Sequence, residues 1–446
     1  MGRVSRKIGW LAVAAGLVLA VPGCTFRELN KNQKEIDRAG RLYITIEGEP
    51  FEAHPVYVAL VREPEDDMAA VTVETYKNLP EIGPAALRAP SGQYFVVAFQ
   101  DVNANKRYDH SEPFAVYGEP TAIDLWPGRV IQDLTLSMDV PVLSGHWSPK
   151  QFQDRGVKLS DRVANFGTKI TLDDPRFDRE VARTGMWKPA EFIHGNNPGL
   201  YMLEDYDPEK IPVVFVHGIG GSPRHFATII EQMDRERFQP WLIYYPSALP
   251  LQDLGDYLQT CLHRMRPDHG HHHYVVVSHS MGGLVAWAGL RAHLEQTATP
   301  YIDLIVTIHS PLGGMASAAA GVDHAPIVME CWHDLDPRSD FLKSIYNDPL
   351  PDNIPYHLFY GIAPDQAPAT DPPTNQGAHA QALRGLDADE LSDETVSLNS
   401  QLHRPAVARA AAIHGGLTTH MGCLRDAETI ATLNRILATN ADRSAE

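Results

Sequence analysis

The chemistry of this chain centres on Tyr274-Val275-Val276-Val277-Ser278-His279-Ser280-Met281-Gly282-Gly283. The apolar, β-branched run predicts a buried strand, Leu284 to Leu294 predicts a helix, and Ser280 falls on the turn between them. A serine so placed is pushed out of the sheet and presents its hydroxyl above the strand ends, where a nucleophile is needed. The glycines behind it allow a tight turn and close helix packing. Ser278 occupies the position that usually carries glycine, and is small enough to clear the backbone. Alone, the pentapeptide also fits an ordinary β–α turn. A serine nucleophile requires a base for its proton, an acid to orient that base, and N–H donors for the oxyanion. The N–H of Met281, directly after the serine, is one donor. Another can come from Val213-Val214-Phe215-Val216-His217-Gly218-Ile219-Gly220-Gly221-Ser222-Pro223, a strand running into a glycine-rich loop. A phosphate-binding turn is the alternative there, but the lysine and threonine of a P-loop are absent.

Together, the His-Gly-x-Gly-Gly loop at 217–221 and the Ser-His-Ser-Met-Gly-Gly turn at 278–283 resemble the α/β-hydrolase family of bacterial lipases and esterases. The resemblance spans residues 211–440. It implies that Ile219 supplies the first oxyanion N–H. It also implies an acid at Asp393, in Leu391-Ser392-Asp393-Glu394-Thr395-Val396, although Glu394 stands where the family carries glycine. Asp365, after the strand ending at Ile362, is the competitor. His420, on the loop after a last strand at Ala410 to Ile413 and before a helix at Ala427 to Leu437, matches the family's base. His414 is the runner-up. The order Ser280, Asp393, His420 is the order of that fold. Residues up to Ile354 lie where the family inserts a cap, and there Met315, Ile327 to Met329, Trp332, Phe341 and Leu342 line an acyl pocket or belong to the core.

The implied activity is ester hydrolysis through an acyl-enzyme, on an ester or lipid-like substrate, with no organic cofactor and no catalytic metal. Two other readings stay open. The same residues serve an acyltransferase, or the hydrolase domain is inert and the protein is an envelope scaffold. Other chemistry-bearing residues have plainer explanations. His279 reads as a packing residue facing away from the site. Ser310 sits in a Ser-Pro-x-Gly-Gly stretch that resembles one following a lipase strand, so it is not a second nucleophile. His269, His271, His272 and His273 are too close in sequence for a tidy tetrahedral metal site and read as a solvated loop.

The elements that must position these residues form an α/β pattern from Ile211 onward. Apolar strands at Val213–Val216, Trp241–Tyr245, Tyr274–Val277, Ile302–Ile308 and His357–Ile362 alternate with helical segments, as in a mostly parallel sheet with helices on both faces. Before it, short alternating runs between 40 and 140 predict a small all-β, antiparallel sandwich. Residues 24–39 read as a tether, 141–210 as a connector or extension, and 211–446 as the catalytic domain. Within the β domain, Asp101, Asn103, Asn105, Asp109 and Glu112 have the spacing of a calcium loop, so a structural calcium is a candidate. Lys106 in place of glycine, and a preceding strand instead of a helix, fit an Asx-rich hairpin as well.

At 446 residues, with 21% charged and 43% hydrophobic residues, the chain is long enough for two domains. A formal charge of -18 argues against a nucleic-acid partner. Residues 1–23 read as a signal peptide: Arg3, Arg6 and Lys7, then an apolar stretch too short to span a bilayer comfortably. Its end, Val21-Pro22-Gly23-Cys24, resembles a bacterial lipobox, which implies cleavage before Cys24 and a lipid anchor on its sulfur. Cleavage there removes three basic and no acidic groups and lowers the net charge from -18 to -21. Thr25 after the cysteine implies the outer membrane, with the protein facing the periplasm or the cell surface. Among Cys261, Cys331 and Cys423, one disulfide at most can form within the chain.

Overall fold

The computed structural model describes residues 23–444 outside a set of gaps, the longest being 139–164 and 367–390, with shorter ones that include 49–53, 63–71, 104–107, 270–272 and 297–300. The signal segment 1–22, Asn105, His271, His272 and the stretch 367–390 therefore lie outside the described residues. The chain divides into two compact units, Lys31–Ala164 and a larger one formed by Met1–Asn30 with Asn165–Glu446.

The first unit is built from β1 (Gly40–Glu47), β2 (Val56–Arg62), β3 (Thr72–Leu79), β4 (Pro84–Ala89), β5 (Gly92–Gln100), β6 (Phe114–Tyr117), β7 (Ile123–Leu125) and β8 (Val130–Ser137). They form one sheet ordered β4-β1-β8 and another ordered β3-β2-β5-β6, with β7 paired to β5. The pairing is antiparallel except between β1 and β8, which run parallel, so the first sheet is mixed and not wholly antiparallel as expected. Strand β2 is buried on both sides: Val56, Val58 and Leu60 join one apolar cluster, while Tyr57, Ala59 and Val61 join another. The period of two along a strand produces this split. In the Asp/Asn-rich loop, Glu112 accepts the N–H of Val102 and that of Asp109 at 2.8 Å each, and Asn103 donates to Asp109 at 2.6 Å. Both oxygens of Glu112 thus serve backbone donors, an arrangement that closes a hydrogen-bonded hairpin.

The larger unit holds an eight-stranded sheet. Its strands are β9 (Asn165–Lys169), β10 (Gly199–Met202), β11 (Ile211–Val216), β12 (Phe238–Tyr244), β13 (Tyr274–His279), β14 (Ile302–Ile308), β15 (Tyr356–Ile362) and β16 (Ala412–Leu417). The order is β16-β15-β14-β13-β11-β12-β10-β9. From β12 to β16 all neighbours are parallel; β10 meets β12 antiparallel and carries β9 parallel to itself. Residues 165–210, expected as a connector or extension, thus contribute the last two strands at one side of the sheet. Their short, mixed sequences lack the apolar runs that mark the central strands.

Alternate residues of each central strand feed opposite cores. Val214, Val216, Val276 and Ile305 face a cluster built with Leu251, Leu254, Leu258 and Leu262 of α4 (Leu251–His269) and Leu284 and Trp287 of α5 (Gly282–Gln296). Val213, Phe215, Val275, Val277 and Val306 face Ile229 and Ile230 of α3 (Ala227–Gln232) and Ile430, Leu433 and Leu437 of α6 (Ala427–Ser444). Strands apolar on both faces are what helices on both sides require. Here α1 is Gly23–Asp37 and α2 is Arg179–Trp187.

Helix α1 lies within the stretch expected as a tether. Its Phe26 meets Trp187 edge-on at 5.8 Å, and Leu29 is fully buried in the larger unit's core. Of the residues offered for an acyl pocket, Met329 and Leu342 belong to that core, while Met315, Ile327, Trp332 and Phe341 pack against it half-buried. Cys261, Cys331 and Cys423 are buried, and none of the three forms a disulfide. No helix among the described residues is long and apolar enough to cross a membrane.

Candidate active site

Strand β13 ends at His279, and Ser280 takes a left-handed backbone conformation, φ 57°, before α5 begins. For a residue with a side chain this costs ~1–2 kcal/mol, and it persists because the surroundings hold it. The Ser280 N–H donates to Ile308 O at 2.9 Å, and its own carbonyl accepts the Gly283 N–H at 2.9 Å. Ser278 is fully buried and donates from Oγ to Val306 O at 2.8 Å, so its hydroxyl is satisfied against the neighbouring strand. The first two glycines of α5 are needed for close contact. A Cβ on Gly282 would lie 2.4 Å from Val216 O, and one on Gly283 2.1 Å from Ser310 Oγ.

Ser280 Oγ lies 2.9 Å from His420 Nε2, and His420 Nδ1 lies 2.8 Å from Asp393 Oδ2. The structure therefore brings together Ser280, Asp393 and His420, the last two 113 and 140 residues beyond the serine in sequence, from segments that follow β13, β15 and β16 respectively. With Asp393 ionised and able only to accept, Nδ1–H donates to it, which leaves Nε2 to accept the Ser280 hydroxyl. The His420 N–H donates to Asp393 O at 2.8 Å, tying the two loops together through backbone as well.

Asp393 is wholly buried. Its Oδ1 accepts the N–H groups of Thr395 and Val396 at 3.0 and 2.7 Å, and its Oδ2 also accepts from His309 Nδ1 at 2.9 Å. Burial pushes the carboxyl up, but the hydrogen bonds from His309 and His420 outweigh it and hold Asp393 well below the usual carboxylate range. Glu394 accepts a φ of 79°, so the turn keeps the left-handed geometry a glycine would give. Gln401, also wholly buried, clamps the loop to β15. Its Oε1 accepts the Gly361 N–H at 2.9 Å, and its Nε2 donates to Gly361 O and Val396 O at 3.0 Å each.

The glycine-rich loop after β11 lies directly against the serine. A Cβ on Gly218 would stand 2.7 Å from Ser280 Cβ and 3.1 Å from its Oγ. His217 fixes the loop. Its Nδ1–H donates to Gly218 O at 2.8 Å, its Nε2 accepts the Tyr245 N–H at 3.4 Å, and its ring stacks on Tyr245 at 4.1 Å. The Tyr245 hydroxyl donates to His217 O. Burial drives the His217 imidazole down to about 3, so it is neutral. Gly220, at φ 60°, donates its N–H to Ser247 Oγ at 2.8 Å. The N–H groups of Ile219 and Met281 have no hydrogen-bond partner among the described residues.

Asp365 is exposed, and His414 sits on β16 with its Nε2 3.0 Å from His357 Nδ1, so neither joins the site. His273 is an exposed partner of Asp303 at 2.8 Å. His279 departs from its expectation. Its ring is 4.7 Å from that of His420, and its Nε2–H donates to His420 O at 2.8 Å. It braces His420 instead of facing away. His309 and Gln401 are the site residues that the sequence reading missed. His309 directly precedes the Ser-Pro-x-Gly-Gly stretch and Gln401 lies in no motif; only the sheet order brings them to Asp393.

His309, Asp393 and His420 also offer ligand atoms within 4.8 Å of one another, a set a metal ion could use. Both imidazole nitrogens, however, point at the same oxygen at 2.8 and 2.9 Å, lengths that fit N–H···O⁻ bonds.

No protein-family model and no curated protein matches the chain. Among solved structures it is similar to the mature form of the Bacillus licheniformis lipase BlEst2, with a TM-score of 0.39 and 20% identity over 52% of this chain and 94% of that one. Aspergillus fumigatus lipase B gives a TM-score of 0.38 and 15% identity, over 54% of this chain and 55% of that one. Legionella pneumophila phospholipase PlaB gives 0.33 and 13%, over 43% and 45%.

Proposed function

We propose that the chain is a serine hydrolase cleaving carboxylic esters of acyl or lipid-like character, on an α/β-hydrolase scaffold. One observation carries this reading: the unbroken relay from Ser280 Oγ to His420 Nε2 at 2.9 Å and from His420 Nδ1 to Asp393 Oδ2 at 2.8 Å. In the proposed cycle, His420 takes the Ser280 proton as Oγ attacks the ester carbonyl. The tetrahedral oxyanion is held by the N–H groups of Ile219 and Met281, and His420 returns the proton to the leaving alcohol. Water then attacks the acyl-enzyme by the same route. Each oxyanion donor contributes ~3 kcal/mol to such a transition state. Asp393 stays ionised and stabilises the imidazolium as it forms.

The test is covalent labelling by a fluorophosphonate of wild type, Ser280→Ala and His420→Ala, followed by p-nitrophenyl esters of increasing chain length. Labelling that needs both residues is expected; labelling that survives Ser280→Ala refutes the assignment. We also propose lipidation at Cys24 and an outer-membrane location, resting on the 21–24 sequence. Metabolic incorporation of labelled palmitate that is lost in Cys24→Ala is the expected result, and incorporation unchanged by that substitution counts against it.

A further inference from the structure

We propose that His309 is a positioning residue of this site: by donating from Nδ1 to the oxygen of Asp393 that His420 uses, it locks the carboxylate in place and sets how strongly that carboxylate holds the His420 imidazolium. The inference rests on the hydrolase reading above and goes beyond it, since neither the sequence pattern nor the three-residue relay requires a second imidazole.

Three observations place His309 there for more than packing. It follows the end of β14 at φ 49°, a left-handed conformation that costs ~1–2 kcal/mol for a residue with a side chain. Its N–H is anchored to Phe359 O at 3.0 Å. A Cβ on Gly361 would lie 2.0 Å from His309 Cε1, so β15 leaves out a side chain where the ring lies. Backbone strain, an anchor and a glycine all converge on one ring orientation, and that orientation points Nδ1 at Asp393 Oδ2 at 2.9 Å.

With two backbone N–H groups on Oδ1 and two imidazoles on Oδ2, the carboxylate has four donors. A carboxylate offers about four lone-pair positions, so its freedom to rotate or to take a proton is removed. Burial lowers the His309 imidazole, against the raising effect of its Asp393 bond, so the ring acts as a neutral donor. Sharing Oδ2 between two donors spreads its charge and weakens its pull on His420. Other groups facing His420 are His279, whose ring is 4.7 Å away and neutral through burial, and the Cys423 thiol, 3.1 Å from His420 O. Asp426 adds a negative charge that acts on His309 and Cys423, and His225 acts on His279.

The experiment measures fluorophosphonate labelling rate against pH for wild type, His309→Gly and His309→Asn, with Ser280→Ala as the blank and a thermal melt of each. Glycine relaxes the backbone but removes the donor; asparagine tolerates a left-handed backbone and keeps an N–H donor. The expected result is a ~10-fold slower His309→Gly with its acid limb moved to higher pH, and His309→Asn within ~3-fold of wild type with its limb in place, in keeping with the 10²–10⁴-fold scale of base catalysis. If both variants match wild type, or both slow equally with unmoved limbs, His309 only packs and the proposal fails. If wild type is not labelled, or labels no faster than Ser280→Ala, the hydrolase reading itself falls, and this one with it. ¹⁵N-histidine spectra of wild type, with His309→Asn for assignment, give a readout independent of variant folding. The neutral Nδ1–H tautomer is expected for His309, and an Nε2–H tautomer overturns the proposal.

Discussion

Adding one methyl group at Gly218 probes the site while leaving the Ser280, His420 and Asp393 side chains chemically unchanged. In Gly218→Ala the new Cβ would meet Ser280 Cβ at 2.7 Å, Ser280 Oγ at 3.1 Å and His279 O at 3.3 Å. Carbon atoms rest at ~3.5–4.0 Å, so either the loop or the serine must move by roughly 0.8 Å or more. Neither can do so freely. The loop is pinned by His217 on Tyr245 and by Gly220 on Ser247, and the serine by its N–H on Ile308 O. Overpacking of this kind costs ~1–3 kcal/mol in stability. The misplacement also separates the Ile219 N–H from the oxyanion position, and ~1 Å of misplacement costs ~10²-fold in rate. That corresponds to ~2.7 kcal/mol of transition-state stabilisation. Gly416→Ala on β16 is the control, because its Cβ would find only Thr418 Cγ2, at 3.4 Å, an ordinary contact. Ester hydrolysis and fluorophosphonate labelling, measured well below each variant's melting temperature, should fall ~10²-fold for Gly218→Ala and stay within ~2-fold for Gly416→Ala. A folded Gly218→Ala with wild-type kinetics would refute the placement of this loop beside the nucleophile.

Asp393→Asn keeps the shape of the side chain but lets His420 adopt the wrong tautomer, so hydrolysis should drop ~10³–10⁴-fold with little loss of Ser280 exposure; a loss under 10-fold would remove Asp393 from the relay. Glu394→Gly relieves a left-handed residue at φ 79° and should leave stability unchanged or raise it by up to ~1 kcal/mol in urea unfolding, with activity kept. A loss of more than ~1 kcal/mol would mean the Glu394 side chain contributes what its backbone conformation costs. Stability should fall on acidification in two stages. His217 and His279, held neutral by burial, bind fewer protons folded than unfolded once the pH drops below the free-histidine value, each costing up to ~1.4 kcal/mol per pH unit. Asp393, with its folded value depressed, adds stability above the unfolded carboxylate range that is lost as pH falls through that range and below. Melting temperatures that stay flat from pH 7 to pH 5 would contradict the burial of those histidines.

Much of the larger unit was legible because its strands are long, apolar on both faces and separated by helices. Tyr274 to Val277, Ile302 to Ile308 and His357 to Ile362 all appear as central strands, within a residue or two at their ends. The outermost pair, β9 and β10, was not legible: Asn165–Lys169 and Gly199–Met202 are short and take their state from pairing. The parallel pairing of β1 with β8 was hidden for a related reason, since period-two alternation says which face a residue takes but not which way its neighbour runs. In α1, Phe26 and Leu29 are too few apolar residues in a charged stretch to announce a packed helix.

What the sequence determined by itself is local chemistry and its local setting. A serine between a β-branched run and two glycines marks a strand-to-helix turn from its immediate neighbours alone, and the glycine-rich loop after β11 is likewise marked by its own residues. What only tertiary structure decided is which distant side chains meet there. His309 and His279 stand beside motif serines and Gln401 in no motif, yet nothing next to them in sequence says which distant groups they meet. The order β13-β14-β15-β16 sets their strand ends and loops side by side, so that two imidazoles share one oxygen of Asp393 and a third holds the carbonyl of His420. Hydrogen bonds between residues 84 and 141 positions apart depend on sheet order and burial, which the residues themselves do not encode one at a time.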